Sequence, residues 1–295
     1  MDNSAFPSRA RARISTALAV PLALMLASPV TFAYTTFGNG QGSKWDDPTW
    51  GTGATIYWSF MTPGVGLGAS APSGWSGTNS LGTGGPGDIR TTIDAANGAG
   101  AFDAALQRAF DTWSTAANLT FIQVADGGGD FGSSTSPDIR IGAFHFGAGD
   151  LAGAAGFGPP GDDLNFPDAL AGDLALNDMN NFAIDPGNEG DPLQTGPGGL
   201  YLNDIEGLLL HEIGHTLGLG HSDVLDGVMC GYIYPGDIFD GSACDYYHVN
   251  RQLAADDIAG IQAIYGPAAV PAPGAAWLLG SGLMSLLGLA RRRRK

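Results

Sequence analysis

The sequence predicts an α+β domain, and three patterns predict it. Short runs of β-forming residues recur through the first two thirds of the chain. One amphipathic helix interrupts them early, and two further helices follow late. Gly- and Pro-rich tracts separate the elements, as expected of a globular domain with long irregular loops.

The elements follow in order. Residues 55–61 (TIYWSFM) are rich in β-branched and aromatic types and predict a first strand. Residues 63–88 carry Gly, Ser, Pro and Thr with few apolar anchors, and predict a loop or insertion. Residues 101–116 place Phe102, Leu106, Ala109, Phe110 and Trp113 at helical spacing, which predicts an amphipathic helix. Strands are expected at 119–124 and 138–146, around a polar loop at 127–137. A short edge strand is expected at 153–157, stopped by Pro159-Pro160, and another short strand at 173–176. Residues 184–199 predict a second Gly/Pro-rich loop. Asn203 is the expected N-cap of a helix over 204–217, with acids in its first turn and Gly218 at its end. A last helix is expected over 255–264, with Asp256 and Asp257 near its start and Gly266-Pro267 as its stop. No internal repeat is present.

The charge is strongly acidic and unevenly placed. The whole chain carries -16, but eight of the 13 basic residues lie at the two ends. Between Tyr34 and Pro273 only Lys44, Arg90, Arg108, Arg140 and Arg251 oppose 28 acids, a net charge of -23. A phosphate backbone would repel such a body, so nucleic-acid binding is not expected. The acidity reads first as solubility, with calcium capture by loop carboxylates as the alternative.

The ends read as addresses. Arg9, Arg11 and Arg13 precede an apolar stretch from Ile14 to Ala27, and Thr31-Phe32-Ala33 offers small residues at a cleavage site. Residues 1–33 are therefore expected to be a secretory signal, cut after Ala33. At the other end, Val270-Pro271-Ala272-Pro273 precedes an apolar run from Gly274 to Ala290 and a basic cluster from Arg291 to Lys295. That order resembles the PEP-CTERM sorting signal of Gram-negative bacteria, with Ala272 where that signal usually carries Glu. The resemblance implies an exosortase-type sorting enzyme as partner, and membrane contact only through the tail before processing. A plain tail anchor is the simpler alternative. The domain order is then signal 1–33, catalytic body 34–267 and sorting tail 268–295. Cys230 and Cys244 lie in the exported body, where an oxidising compartment favours pairing them, worth about 3 kcal/mol. A metal ligand or a reactive thiol is the other reading of either.

The chemistry concentrates in HEIGHTLGLGHS, residues 211–222. His211 and His215, four apart on a helix, stack on one face and reach one ion together. A catalytic zinc takes three protein ligands and keeps a fourth position open. Gly218 permits a left-handed backbone, so the chain turns and His221 swings back towards the same ion. Glu212 is placed to act as base on a water at that ion. A solvated polar helix face is the bland alternative, but Ile213, Leu217 and Leu219 are apolar. Three of the five histidines also fall within these eleven positions, 211–221.

The full H-E-x-x-H-x-x-G-x-x-H pattern resembles the metzincin zinc proteases. Val228-Met229 lies where that superfamily carries its Met-turn, and the resemblance makes Met229 the apolar floor under the histidines. Ser222, the closing segment LAADDIAGIQAIYG (253–266) and the upstream order of helix, LTFIQV and DIRIGAF resemble the matrixin branch. The resemblance covers residues 55–266. It implies a metzincin-like zincin fold: a twisted, mainly parallel sheet with one early helix, the active-site helix and a C-terminal helix. It implies one catalytic Zn2+, protein or peptide substrates, and Asp256 and Asp257 tying the last helix to the Met-turn or the N-terminus. Two departures stand out. Ala175 replaces the family's His in GDLALND, so the family's structural zinc is not expected; His145 reads as a strand residue and His248 as a loop residue. No Cys precedes the first strand after the cleavage site, so a cysteine-switch pro-segment is not expected either. The loop from Cys230 to His248 is expected to border the substrate pocket.

The leading expectation is a secreted or surface-exposed zinc endopeptidase of a Gram-negative bacterium, destined for the extracellular matrix. An inactive metzincin fold serving as a surface or matrix-binding module is one alternative. A zinc hydrolase acting on a non-peptide bond is the other.

Overall fold

The computed structural model describes residues 34–37, 43–85, 87–133, 136–147, 152–161, 166–184, 187–231 and 248–269. The signal, the apolar tail, Cys244 and most of the loop beyond Cys230 lie outside these residues. The chain divides into Met1–Thr31 and Phe32–Lys295, and every described residue belongs to the second unit.

A five-stranded sheet forms the frame. Its strands are β1 (Ala54–Phe60), β2 (Leu119–Gln123), β3 (Ile139–Phe144), β4 (Ala154–Gly156) and β5 (Asp173–Asn177). Their order is β2-β1-β3-β5-β4, with β4 alone antiparallel. All six residues of β3 and all five of β5 are buried, as parallel strands are when both faces are covered. Ile139, Ile141 and Ala143 of β3 and Leu174 and Leu176 of β5 point to one cluster, while Phe144 and Ala175 point to another.

Helices cover the first face. α1 (Ile89–Asn97) and α2 (Ala101–Ala116) precede β2; α3 (Ile205–Thr216) and α4 (Ala255–Tyr265) follow the last strand of this sheet. Phe102, Leu106, Ala109, Phe110 and Trp113 of α2 are buried as their spacing predicted, and the Phe110 ring meets Trp58 at 4.9 Å between centroids. The Trp113 indole donates to Leu210 O at 2.9 Å, so α2 is bonded to α3 as well as packed on it. The Trp45 indole donates to Thr216 O, and the Tyr265 hydroxyl to Leu217 O, which fix the end of α3.

Among the described residues no α-helix packs on the second face, only the 3-10 turn Asp168–Leu170. There the insertion after β1 lies over Met61, Phe131, Phe144, Phe146, Phe166, Leu170, Ala171 and Ala175. Trp75 stacks on Phe146 at 3.7 Å between centroids. Backbone bridges Leu67↔Phe131 and Ser76↔His145 pin the tract to the sheet. Ala175, where the resemblance would place a histidine, is wholly buried and pairs with Ala155 across β4 and β5.

Two expectations need correction, and one small sheet is additional. The early helix is two helices, because α1 precedes α2. Only Ile89 and Ile93 of α1 are buried, and its start is set by Asp88, which accepts from the Arg90 amide. The N-cap of α3 is Asp204, not Asn203: the Asp204 carboxylate accepts from the Gly207 amide and is buried against Arg251, 2.7 Å from its Nε. Two three-residue parallel strands, β6 (Asn181–Ala183) and β7 (Leu202–Asp204), flank the loop expected at 184–199. Among the described residues no helix is long and apolar enough to cross a membrane.

Candidate metal centre

The site is built on α3 and the turn that follows it. Nine of the twelve α3 residues are buried, among them Glu212 and His215, so the helix runs through the core rather than along its surface. It ends where the Leu217 amide bonds back to Ile213 O, and Gly218 takes φ +101°. An L side chain is strained at that φ, and a Cβ there would also sit 3.0 Å from Ser43 O. The chain reverses at this glycine and returns His221 to the helix face carrying His211 and His215.

Backbone carbonyls aim the rings. His211 Nδ1 lies 2.7 Å from Val228 O and His215 Nδ1 lies 2.8 Å from Leu219 O. A carbonyl only accepts, so both Nδ1 atoms carry the proton and both Nε2 atoms present a lone pair. Burial holds His211 below the usual histidine range. Burial, then the neighbouring rings of His211 and His221, hold His215 well below it. Both rings are thereby kept neutral, which is the form that binds a metal.

The three Nε2 atoms converge. His221 Nε2 is 3.1 Å from His215 Nε2 and 3.3 Å from His211 Nε2. All three donor atoms lie within 4.8 Å of one another. A tetrahedral zinc with bonds of about 2.0–2.1 Å sets its nitrogens about 3.3 Å apart. His221 has at most one Nε2 proton to place between two lone pairs, so three such nitrogens lack the protons to satisfy one another. A divalent cation satisfies all three, and the donor set fits zinc.

Glu212 is 5% exposed, and burial pushes its carboxyl up to about 8 against one opposing hydrogen bond, from the Gly156 amide. Gly156 ends β4, the sheet's edge strand, and a Cβ there would meet the Glu212 backbone and lie 3.2 Å from its Oε2. The missing side chain is what lets the edge strand approach the carboxyl. The expected strand was found, but this role of Gly156 was not foreseen. A glycine inside a strand is the one sequence signal for such an approach.

Met229 is buried against α3, where a Cβ on Gly214 would collide with its sulfur. Asp257 holds this turn, accepting from the Val228 amide at 2.8 Å and the Met229 amide at 3.0 Å. Asp256 accepts from the Ser222 hydroxyl at 2.6 Å and from the Tyr34 amide at 3.0 Å. The two acids thus tie α4 to the Met229 turn and to the N-terminal segment, as the resemblance implied. The N-terminal segment also pairs with the ligand turn: Thr36 bridges Leu219, and the Phe37 ring lies 5.6 Å from the His215 ring. Cys230 is disulfide-bonded; Cys244, the other of the chain's two cysteines, lies outside the described residues. His145 stands apart from the centre, 3.6 Å from Asp178.

The family model described as Matrixin matches residues 90–266. An interstitial collagenase of Sus scrofa is 32% identical over 173 residues, 57% of this chain and 29% of that one. The metalloendoproteinase 4-MMP of Arabidopsis thaliana is 31% identical over 165 residues, 54% of this chain and 39% of that one. Matrix metalloproteinase-19 of Homo sapiens is 31% identical over 163 residues, 55% of this chain and 26% of that one. The match spans well under half the length of each of these relatives.

Proposed function

The chain belongs to the matrixin family, and from that premise we propose that it is a zinc-dependent endopeptidase acting on protein or peptide substrates. The observation that carries the proposal is the convergence of three histidine nitrogens, two of them spaced 3.1 and 3.3 Å from the third. His211, His215 and His221 would hold the ion through Nε2. When bound, zinc supplies Lewis acidity towards a water and towards the scissile carbonyl. The Val228 and Leu219 carbonyls keep the His211 and His215 rings in the tautomer that leaves Nε2 free.

Glu212 does the proton work. Its carboxylate accepts the proton that the attacking water loses, then delivers it to the amine nitrogen as the peptide C–N bond breaks. The Gly156 amide orients that carboxylate. β4 lies at the end of the sheet order, so an extended substrate adds to it as a further strand.

Export completes the proposal: residues 1–33 act as a secretory signal, and residues 268–295 act as a sorting tail for an exosortase-type enzyme. Cleavage after Ala33 would place a new α-ammonium on Tyr34. The Tyr34 nitrogen already donates to the Asp256 carboxylate, so cleavage there would replace an amide donor with an ammonium at the same oxygen. N-terminal sequencing of the exported protein should begin at Tyr34.

Cleavage of casein by the purified protein tests the activity, with Glu212→Ala as the comparison and bound zinc measured in both. The wild type should cleave, and Glu212→Ala should bind zinc yet lose about 10²- to 10⁴-fold in rate. Zinc binding without cleavage by either protein would make this a binding module. Undiminished cleavage by the variant would remove Glu212 from its role.

A further inference from the structure

The edge that receives a substrate strand is short, and its hydrogen bonds say where pairing ends. The Asn177 amide donates to Gly153 O at 2.8 Å and the Phe157 amide donates to Asp173 O at 3.0 Å, so these two residues bond inward to β5. Alternation turns the N–H and C=O of Ala152, Ala154 and Gly156 outward. Gly156 stands beside Glu212, at one end of this row. Ala152, at the other end, is closed. Its carbonyl accepts from the Asn177 side chain at 3.0 Å and from the Asn180 side chain at 2.9 Å, which fills both lone pairs. A strand laid along β4 from Glu212 therefore loses its ladder partner at Ala152 and leaves the sheet there.

A hairpin adjoins that point. Thr195 and Tyr201 form an antiparallel bridge around the turn Pro197–Gly199. The Gly196 amide donates to Leu200 O at 2.7 Å, and the Leu202 amide donates to Gln194 O at 2.8 Å. Asn181 anchors the turn, its side chain donating to Pro197 O at 2.8 Å, and the Asn203 side chain donates to Asn181 O at 3.1 Å. Asn203 also touches the edge: a Cβ on Gly153 would lie 3.5 Å from its Cγ. The hairpin keeps two large side chains at the surface, Leu200 at 37% and Tyr201 at 42% exposure. Tyr57, Ile122 and Val124 are exposed too, but they lie on or beside β1 and β2, at the other end of the sheet order from β4.

We propose that this hairpin is a specificity subsite, taking an apolar side chain of the substrate against Leu200 and Tyr201. Continuity with the edge strand sets both the occupant and its place. Gly153 is three residues from Gly156, about 10 Å of extended chain, so the side chain that arrives belongs to the third or fourth residue from the scissile bond. An apolar side chain there covers surface that the fold leaves in water, and a polar one gains nothing from it. The inference rests on the endopeptidase reading. Cleavage by the wild type tests that reading, whereas a preference at a fixed distance from the cut tests this one.

The experiment first maps a bond that the zinc-loaded full chain cuts in casein. Peptide pairs are then built around that bond, with Leu or Gly at the third and fourth positions on either side. On one side of the cut, Leu should be preferred over Gly about 10-fold in kcat/KM, and the difference should lie in KM, as for a contact made equally before and during reaction. In Leu200→Ser/Tyr201→Ser the Leu-to-Gly ratio should fall to about one, and in Leu200→Met/Tyr201→Phe it should return. Should the double serine variant fail to fold, either single serine variant should give an intermediate ratio. A wild type indifferent to Leu at these positions, a preference that survives both serines, or one lost through kcat at constant KM would each overturn the proposal while leaving the endopeptidase in place. A wild type that cuts nothing would remove both.

Discussion

The two faces of the sheet are held by different physics. On the helix face, the metal centre is a set of directed bonds. Carbonyls aim His211 and His215, Asp257 accepts from two amides of the Met229 turn, and the Trp113 indole reaches Leu210 O. On the other face, rings meet rings: Phe131 lies 5.1 Å from Phe144 and 5.5 Å from Trp75 between centroids, and Phe157 lies 5.6 Å from Phe166. Directed bonds fix where a nitrogen points, and packing fixes only how much volume is filled. A metal needs the first and a stable domain needs both, so the faces should fail differently when damaged.

Phe131→Ala is the largest expected break in the aromatic face. Phe131 is wholly buried among rings, and its removal leaves a cavity that the neighbouring loops only partly fill. Urea denaturation should show a loss of about 3–5 kcal/mol. The zinc affinity of the folded fraction should not change, since no atom of this cluster bonds a ligand ring. A matched loss of zinc affinity would mean that the faces are coupled and the contrast is wrong.

Asp257→Ala makes the opposite cut. It leaves the amides of Val228, Met229 and Ala254 without the carboxylate that accepts from all three. Stranding such donors should cost about 3 kcal/mol. Here zinc affinity should fall with stability, because Val228 also supplies the carbonyl that aims His211. Stability lost with zinc affinity intact would show that the Met229 turn is held by packing after all.

The contrast also explains what the sequence disclosed. α2 was legible because packing on one face imposes a 3.6-residue period on Phe102, Leu106, Phe110 and Trp113. The centre was legible for another reason: a metal demands particular residue types at particular intervals, and Gly218 supplied the turn. The aromatic face was not legible. Trp75, Phe131, Phe146, Phe157 and Phe166 sit in irregular segments, where no period links residues that meet. α1 was missed because two buried isoleucines do not make a pattern. Asn203 and Asp204 are both good caps, and what decided between them was Arg251, 47 positions away.

Arg140 sits between Asp126 and Asp173 and sharpens the comparison through pH. Both acids face one buried guanidinium, at 3.0 Å and 3.7 Å. Hydrogen bonds from Arg140 and Thr62 outweigh burial and hold Asp126 below the usual carboxylate range. Burial pushes Asp173 up to about 8, against the Gly132 amide and Arg140. The folded chain thus keeps a proton on Asp173 that the unfolded chain releases above its ordinary pKa of about 3.9. The folded pKa is the higher one, so this contribution is full at acid pH and is lost as pH rises through about 8. Asp173→Asn removes it. Wild-type stability should fall relative to that variant by at most about 1.4 kcal/mol per pH unit between those limits. A constant difference across the range would mean that Asp173 is ionised and paired with Arg140.

Met229→Leu carries the smallest expected effect and bears most directly on how the centre is held. Met229 is 2% exposed and packs its sulfur against Gly214, one residue before His215. No atom of its side chain is bonded to a ligand ring; the bonds that aim His211 and His215 come from the carbonyls of Val228 and Leu219. Leucine fills nearly the same volume, so stability should fall by less than about 1.5 kcal/mol. Zinc affinity should stay within about threefold, a change of about 0.7 kcal/mol. If Leu instead weakened zinc as strongly as Asp257→Ala, the floor beneath the histidines would be setting their direction. The directed bonds would then be a consequence of the packing, not an independent constraint.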